Sequence, residues 1–380
     1  MAYAEGRVYL DADSHLMELP GWIESYTDPG LRDRIRPLSS TLGAAGALAD
    51  RAVADAEARK GDAEAARRLE DRLMTNKGWG GLGAFDPIER TRALDLLGFD
   101  RQLVFSTFAP DQFLGDPDPD VVFGGTTAHN RAIVDFCSDD DRLLPVALVP
   151  WGPPDRTVAA ADEAIDLGAA AVLVPSAPPR DCLSPTHPDY DGLWRTLGER
   201  EVPFMLHVGG GGRLVRPAFH RNGKDVTDFI GGGENVRSKD YMAIYHPPEM
   251  FLSAMVLDGV LERHPTLRGG CIEQGALWVV PWLKRLELAQ RTFRRTEPDL
   301  DLPLPITEYV HRQLRFTPFP SEPVGWLIEQ AGEDLFLFSS DFPHPEGGRD
   351  PLARFEETMP DVSDDARELF YRGNFESLFS

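Results

Sequence analysis

The chain has 380 residues, 42% of them hydrophobic, enough for one large barrel or for two ordinary domains. Its 62 Asp and Glu against 39 Lys and Arg give a net charge of -23. An acidic surface of that size repels phosphate backbones and anionic lipid, so nucleic acid and membranes are excluded as expected partners and a small molecule is left.

The N-terminal stretch MAYAEGRVYLDAD has neither the basic nor the apolar region of a secretory signal. No apolar run reaches the roughly 18–20 residues of a transmembrane helix. Cys137, Cys182 and Cys271 lie far apart with no C-x-x-C spacing, as expected of reduced thiols. The expected location is cytoplasmic.

The first apolar run, RVYLDAD (7–13), opens a charged stretch that carries Asp11, Asp13, His15 and Glu18. Buried charges cost several kcal/mol each unless compensated, so this stretch is either a solvated loop or part of a site that holds a cation. Further runs follow at 101–107, 143–151, 169–176, 202–208, 267–273, 313–319 and 335–341. Continuous apolar character, rather than alternation, suits strands buried on both faces of a parallel sheet. Helical spacing appears between them at 154–168, ending at Gly168 as a natural C-cap, and again at 190–200 and 247–265.

Eight strands alternating with helices predict an α/β fold, a (β/α)8 TIM barrel, as a single domain over 1–380. The structural alternative, a doubly wound open sheet, lacks a G-x-G-x-x-G after its first strand. Two segments exceed the minimal barrel. Residues 41–75, rich in Ala, Glu and Arg, read as a helical insertion after strand 1. The Gly-rich loop 209–240 after strand 5 is either a flexible connector or, as preferred here, a substrate loop.

The acids and histidines fall at the C-terminal ends of these runs. Strand 1 delivers Asp13 and His15 in D-x-H spacing, strand 5 His207, strand 6 Glu273 and strand 8 Asp341. A single strand-end histidine is usually a hydrogen-bonded core residue, and Asp341 alone could cap a turn. Strand ends of a barrel converge on one mouth, however, and a hydrolytic metal site needs about three protein ligands and an open position. Asp13, His15, His207 and Asp341 supply that set. Asp11 shares the parity of Asp13 but lies deeper, as a structural partner; Glu18 reaches the mouth or stays in a solvated loop. His129, His187, His220, His264 and His311 take structural readings, while His246 and His344 lie near strand-end loops and substrate.

With those residues placed, the chain resembles the amidohydrolase superfamily, and in particular the amidohydrolase-related branch that includes aminocarboxymuconate-semialdehyde and resorcylate-type decarboxylases. The resemblance is carried by LDADSHLMELP, HPDYDGLWRTLGEREVPFMLHVGG, DGVLERHPTLRGGCIEQGALWVVPWLKRLE, FSSDFPHPEGG and ELFYRGNFESLF, spanning nearly the whole chain. It implies a (β/α)8 barrel holding one divalent ion, commonly zinc and sometimes manganese, and a homodimer. The family's first-strand H-x-H or E-x-H matches Asp13-Ser14-His15, its strand-5 metal histidine His207 and its strand-8 aspartate Asp341. Binuclear relatives use a carboxylated lysine on strand 4, and the run 169–176 has none, which implies a single metal. Decarboxylases of this branch carry a histidine where this chain has Glu273.

The function expected from sequence is a metal-dependent hydrolase acting on a small amide, ester or lactone through a metal-activated water. Asp341, with Glu273 and His207 beside it, moves the water's proton. His344 and Arg213 are candidates for contact with a substrate carboxylate, and Trp278 either paves the pocket or packs in the core. The alternatives are nonoxidative decarboxylation of an aromatic or muconate-type acid, and a noncatalytic metal- or ligand-binding barrel.

Overall fold

The computed structural model describes residues 2–42, 45–209, 214–224 and 237–380. Seven strands follow one another in chain order in one sheet: β1 (Leu10–Leu16), β2 (Arg101–Ser106), β3 (Leu143–Leu148), β4 (Ala171–Leu173), β5 (Phe204–His207), β6 (Gly269–Ile272) and β7 (Leu314–Phe316). Every neighbouring pair is parallel, so the sheet is a curled, TIM-like α/β half-barrel. Alternate strand residues, including Leu10, Ala12, Leu103, Phe105, Val146, Ala171, Met205 and Ile272, pack together on its inner face. The residues between them pack outward against helices, as with Phe204 against Trp194 and Phe251. Both faces are therefore buried, which is why the strands read as unbroken apolar runs.

The eighth expected strand is not regular. The run 335–342 lies between β7 and β1, joined to each by an isolated bridge, Phe316 with Phe336 and Ser14 with Phe342. Leu337 N donates to Phe316 O at 2.9 Å and Asp341 N to Asp13 O at 2.9 Å. The ladder is interrupted because Ser340 N donates to the Asp11 carboxylate instead of to a carbonyl, and Asp341 then turns into the left-handed region at φ 51°.

Between β1 and β2 lie α1 (Leu38–Leu42), mostly ahead of the expected insertion 41–75, and α2 (Gly46–Arg59) and α3 (Ala63–Glu70) within that segment. The helix α4 (Pro87–Leu97) starts with Asp86 accepting from Glu89 N and ends at the left-handed Gly98. It is followed after β2 by α5 (Pro119–Cys137), after β3 by α6 (Pro154–Leu167) and after β4 by α7 (Asp191–Glu199). The expected cap Gly168 closes α6 at φ 108°. The helix expected over 247–265 divides into His246–Leu257 and Val260–Arg263, because Gly259 at φ 72° breaks the ladder. Of the loop 209–240, residues 210–213 and 225–236 lie outside the described residues. No helix among the described residues is long and apolar enough to cross a membrane.

Candidate metal centre

β1 positions the first two side chains by breaking its own alternation. Leu10 and Ala12 enter the inner apolar layer, so strict parity would send Asp13 and His15 outward. The pairing of β1 with β2 shifts register between Asp11 and Ser14, and beyond this bulge His15 sits opposite Phe105, on which its ring packs. Asp13 and His15 thereby face the mouth. Asp11 does not share their side, contrary to the parity expectation. Its carboxylate accepts from Asp13 N, Ser340 N, Ser340 Oγ and Gln102 Nε2. Burial pushes the Asp11 carboxyl up to about 7, and these donors work against that shift. It is a structural tie between the runs at residues 11 and 340, as expected of its role if not of its direction.

His207 ends β5 and Glu273 follows β6. His207 Nε2 lies 3.4 Å from Asp13 Oδ1 and 3.4 Å from Glu273 Oε2. His15 Nε2 lies 3.2 Å from Asp13 Oδ1, 3.6 Å from Asp341 Oδ1 and 3.9 Å from Glu273 Oε2. All five side chains are buried. Burial, reinforced by the charge of His344, holds His15 well below the ordinary histidine value.

The ring protons can be placed from their partners. His207 Nδ1 faces the Val208 carbonyl at 3.0 Å, which only accepts, so Nδ1 carries the hydrogen and Nε2 turns its lone pair to the carboxylates. Thr107 Oγ1 spends its single hydrogen on the Leu16 carbonyl at 2.8 Å, so it accepts from His15 Nδ1 and from His344 Nε2. His15 Nε2 therefore also aims a lone pair at carboxylates. Asp13 Oδ2 is buried with no hydrogen-bond partner among the described residues. Lone pairs and carboxylates converging on one buried point repel unless a cation lies between them, and two imidazoles with carboxylates are a fitting donor set for a divalent ion.

Two groups bring one ligand atom per residue within 4.8 Å of one another: Asp13, His15, His207 and Glu273; and His15, Glu273, Asp341 and His344. Of the four ligands expected from sequence, Asp341 is thus outside the group that contains Asp13 and His207, and Glu273 stands in its place. His344 is fully buried, stacked on His15 with ring centroids 3.8 Å apart, and its Nδ1 lies 3.0 Å from Asp341 Oδ1. A small pocket opens on Asp13, Glu273 and Asp341 and is walled by Thr317, Pro318 and Phe319.

Trp278 lies in the core, its Nε1 donating to Gly275 O and its ring packed on Trp282 and Phe316. Arg213 lies outside the described residues. Glu18 is buried instead of solvated: its carboxylate accepts from Thr107 N, Phe108 N and Ala109 N, fixing the turn after β2. His129 is tied to Ser106 Oγ at 2.7 Å and His264 to Asp191 at 3.2 Å, both structural. Sequence reasoning missed Thr107, whose oxygen sets both His15 and His344; its only signal was its place at the end of the second apolar run.

A family model described as Amidohydrolase matches residues 11–380. No curated protein matches the chain. Among solved structures, an amidohydrolase from Mycobacterium avium subsp. paratuberculosis is similar at 19% identity and a TM-score of 0.73, covering 99% of this chain and 100% of that one. The 5-carboxyvanillate decarboxylase of Novosphingobium aromaticivorans, with bound manganese and 3-methoxy-4-hydroxy-5-nitrobenzoic acid, is similar at 18% identity and a TM-score of 0.63, covering 98% of this chain and 97% of that one. A dihydroxybenzoic acid decarboxylase from a Polaromonas species, with bound manganese and 2-nitroresorcinol, is similar at 15% identity and a TM-score of 0.59, covering 98% and 97%. At these identities the likeness is one of fold.

Proposed function

This chain belongs to the amidohydrolase family, and on that premise we propose that it is a metal-dependent carboxy-lyase that removes carbon dioxide from a small aromatic or muconate-type carboxylic acid. The observation that carries this reading is the buried convergence of Asp13, His15, His207 and Glu273, together with the Asp341–His344 pair beside it. Two structural neighbours with bound manganese are decarboxylases of hydroxylated benzoic acids. They support this reading above hydrolysis, the function expected first from sequence.

Asp13, His15, His207 and Glu273 would hold one divalent ion, with Asp341 at its side. Manganese is favoured over zinc, because the donor set is rich in carboxylate oxygen. The bound ion supplies a positive charge against which a substrate carboxylate and a neighbouring oxygen can lie. His15 and His207 are fixed in the ligating tautomer by Thr107 and the Val208 carbonyl. Thr107 places the His344 hydrogen on Nε2, so the 3.0 Å contact between His344 Nδ1 and Asp341 Oδ1 is satisfied by one shared proton. Asp341 delivers that proton to the carbon that loses its carboxylate. The carbon–carbon bonding pair stays on that carbon, carbon dioxide leaves, and solvent restores the proton. Burial of all these groups keeps water from the carbanionic carbon.

Hydrolysis stays as a second reading on one observation: Glu273 puts a carboxylate, a natural base for a water, 3.4 Å from His207 Nε2 where related decarboxylases carry histidine. An assay of hydroxybenzoates, esters and lactones in ¹⁸O-water separates the two. The expected result is carbon dioxide released one for one with the protonated product and no label incorporated. Labelled product from an ester or lactone, with no carbon dioxide from any acid, would replace the carboxy-lyase by the hydrolase.

A further inference from the structure

The ladder between β6 and β7 ends with Cys271 opposite Phe316, and just beyond it Thr317 N donates to Cys271 O at 3.0 Å. The regular pairing stops there because Glu273 turns into the left-handed region at φ 53°. Side chains take the pairing over. Glu273 N donates to Thr317 Oγ1 at 2.8 Å. Three residues on, Ala276 N donates to Glu322 Oε2 at 2.8 Å and Leu277 N to Glu322 Oε1 at 3.1 Å. Both acceptors belong to the segment after β7, so the turn 273–277 is held to that segment at each end.

Glu322 is itself fixed. It is buried, and a buried carboxylate is costly unless its oxygens are hydrogen-bonded. Glu322 N donates to Phe319 O at 2.9 Å, and Phe319 N returns a bond to Glu322 Oε2 at 2.9 Å. The carboxylate thus accepts three main-chain N–H groups from two loops, each a charge-assisted bond. The fit leaves no slack: a Cβ added at Gly275, where φ is 66°, would stand 2.8 Å from Phe319 Cε2 and 2.9 Å from Glu322 Oε1. Glu18 does the same after β2, where the turn it fixes carries Thr107.

A strained backbone persists only where its surroundings over-determine it, and Glu273 is strained at the point where its carboxylate has to reach His207 Nε2 at 3.4 Å and His15 Nε2 at 3.9 Å. We propose that Glu322 and Thr317 are positioning residues of the metal centre: they continue the pairing of β6 and β7 past the end of the ladder and hold Glu273 in the left-handed turn that aims it at the two histidines. The proposal rests on the metal-centre reading above. A loop staple without this role would add to stability and leave the affinity of the folded chain for metal untouched.

The test is Mn²⁺ titration of the chelator-treated full chain as wild type, Glu322→Gln, Thr317→Val and Glu273→Gln, and with each of the first two substitutions placed on Glu273→Gln. The melting temperature of every metal-free form is measured alongside. Glu322→Gln replaces one acceptor oxygen by an amide donor that faces N–H groups. Thr317→Val removes the oxygen that accepts from Glu273 N at nearly constant volume. Each is expected to bind Mn²⁺ about tenfold more weakly than wild type, the lower end for partners that orient a ligand. Because both act through Glu273, neither should add a comparable loss on the Glu273→Gln background. Wild-type affinity in both single variants, with only Tm lowered, overturns the positioning role, and so does a full further tenfold loss on the Glu273→Gln background. Absence of Mn²⁺ binding by the wild type overturns the metal centre itself and the proposal with it.

Discussion

Glu273 and Asp341 are non-glycine residues at positive φ, 53° and 51°. The left-handed conformation costs such a residue roughly 1–2 kcal/mol, and strain of this kind persists where the surroundings over-determine it. Here it ends β6 and the run 335–341 abruptly and turns both carboxylates into the site instead of along the strand. His207 is set by the Val208 carbonyl and His15 by Thr107, so each metal-facing nitrogen is chosen by a partner outside the ligand group. His207→Ala should therefore reduce the metal retained after dialysis to well below one ion per chain. Glu273→Gln should retain the fold and bind Mn²⁺ at least about tenfold more weakly, because a neutral amide replaces a charged carboxylate ligand. Metal analysis and Mn²⁺ titration check both; full metal content in His207→Ala would remove His207 from the site.

At the scale of the element, α5 is locked to the sheet by a buried histidine. His129 Nδ1 meets Asn130 Oδ1 at 2.9 Å, and that oxygen also accepts from Leu148 N while Asn130 Nδ2 donates to Leu148 O. The amide is thus oriented by the backbone of β3, His129 carries its hydrogen on Nδ1, and Nε2 accepts from Ser106 Oγ. Burial pushes the His129 imidazole down to about 4. In the unfolded chain it titrates near 6.5, so between those values the unfolded state binds more protons and stability falls as the pH falls. The contribution is complete above about pH 6.5 and is progressively lost towards pH 4, on the order of 3 kcal/mol in all. Thermal unfolding across that window should show a decline in Tm that is shallower in His129→Gln. Parallel slopes in the two proteins would mean that other groups carry the acid sensitivity.

At the scale of the whole molecule, the candidate ligand group joins segments as distant in sequence as residues 13 and 273, so an ion held there would link the first strand to β6. An ion that binds only the folded chain stabilises it by about 2.7 kcal/mol at one hundred times its dissociation constant. Chelation should therefore lower Tm by several degrees, Mn²⁺ should restore it, and His207→Ala should respond to neither. The amino-acid order by itself determined the parallel α/β sheet, because strands buried on both faces have to be apolar throughout. It also determined the gathering of Asp13, His15, His207, Glu273 and Asp341, because parallel strands deliver their C-terminal ends to one mouth. Tertiary structure alone decided the rest. Period-two alternation puts Asp11 on the side of Asp13, and only pairing with β2 reveals the bulge that separates them. The run 335–341 has the composition of a strand, but its hydrogen bonds go to Asp11 as well as to the ladder. Thr107 carries little signal beyond its place at the end of a run, because what makes it matter is a partner far along the chain, the His15–His344 stack. Composition and periodicity record which face of an element is buried; which charges share that burial is settled only when the elements meet.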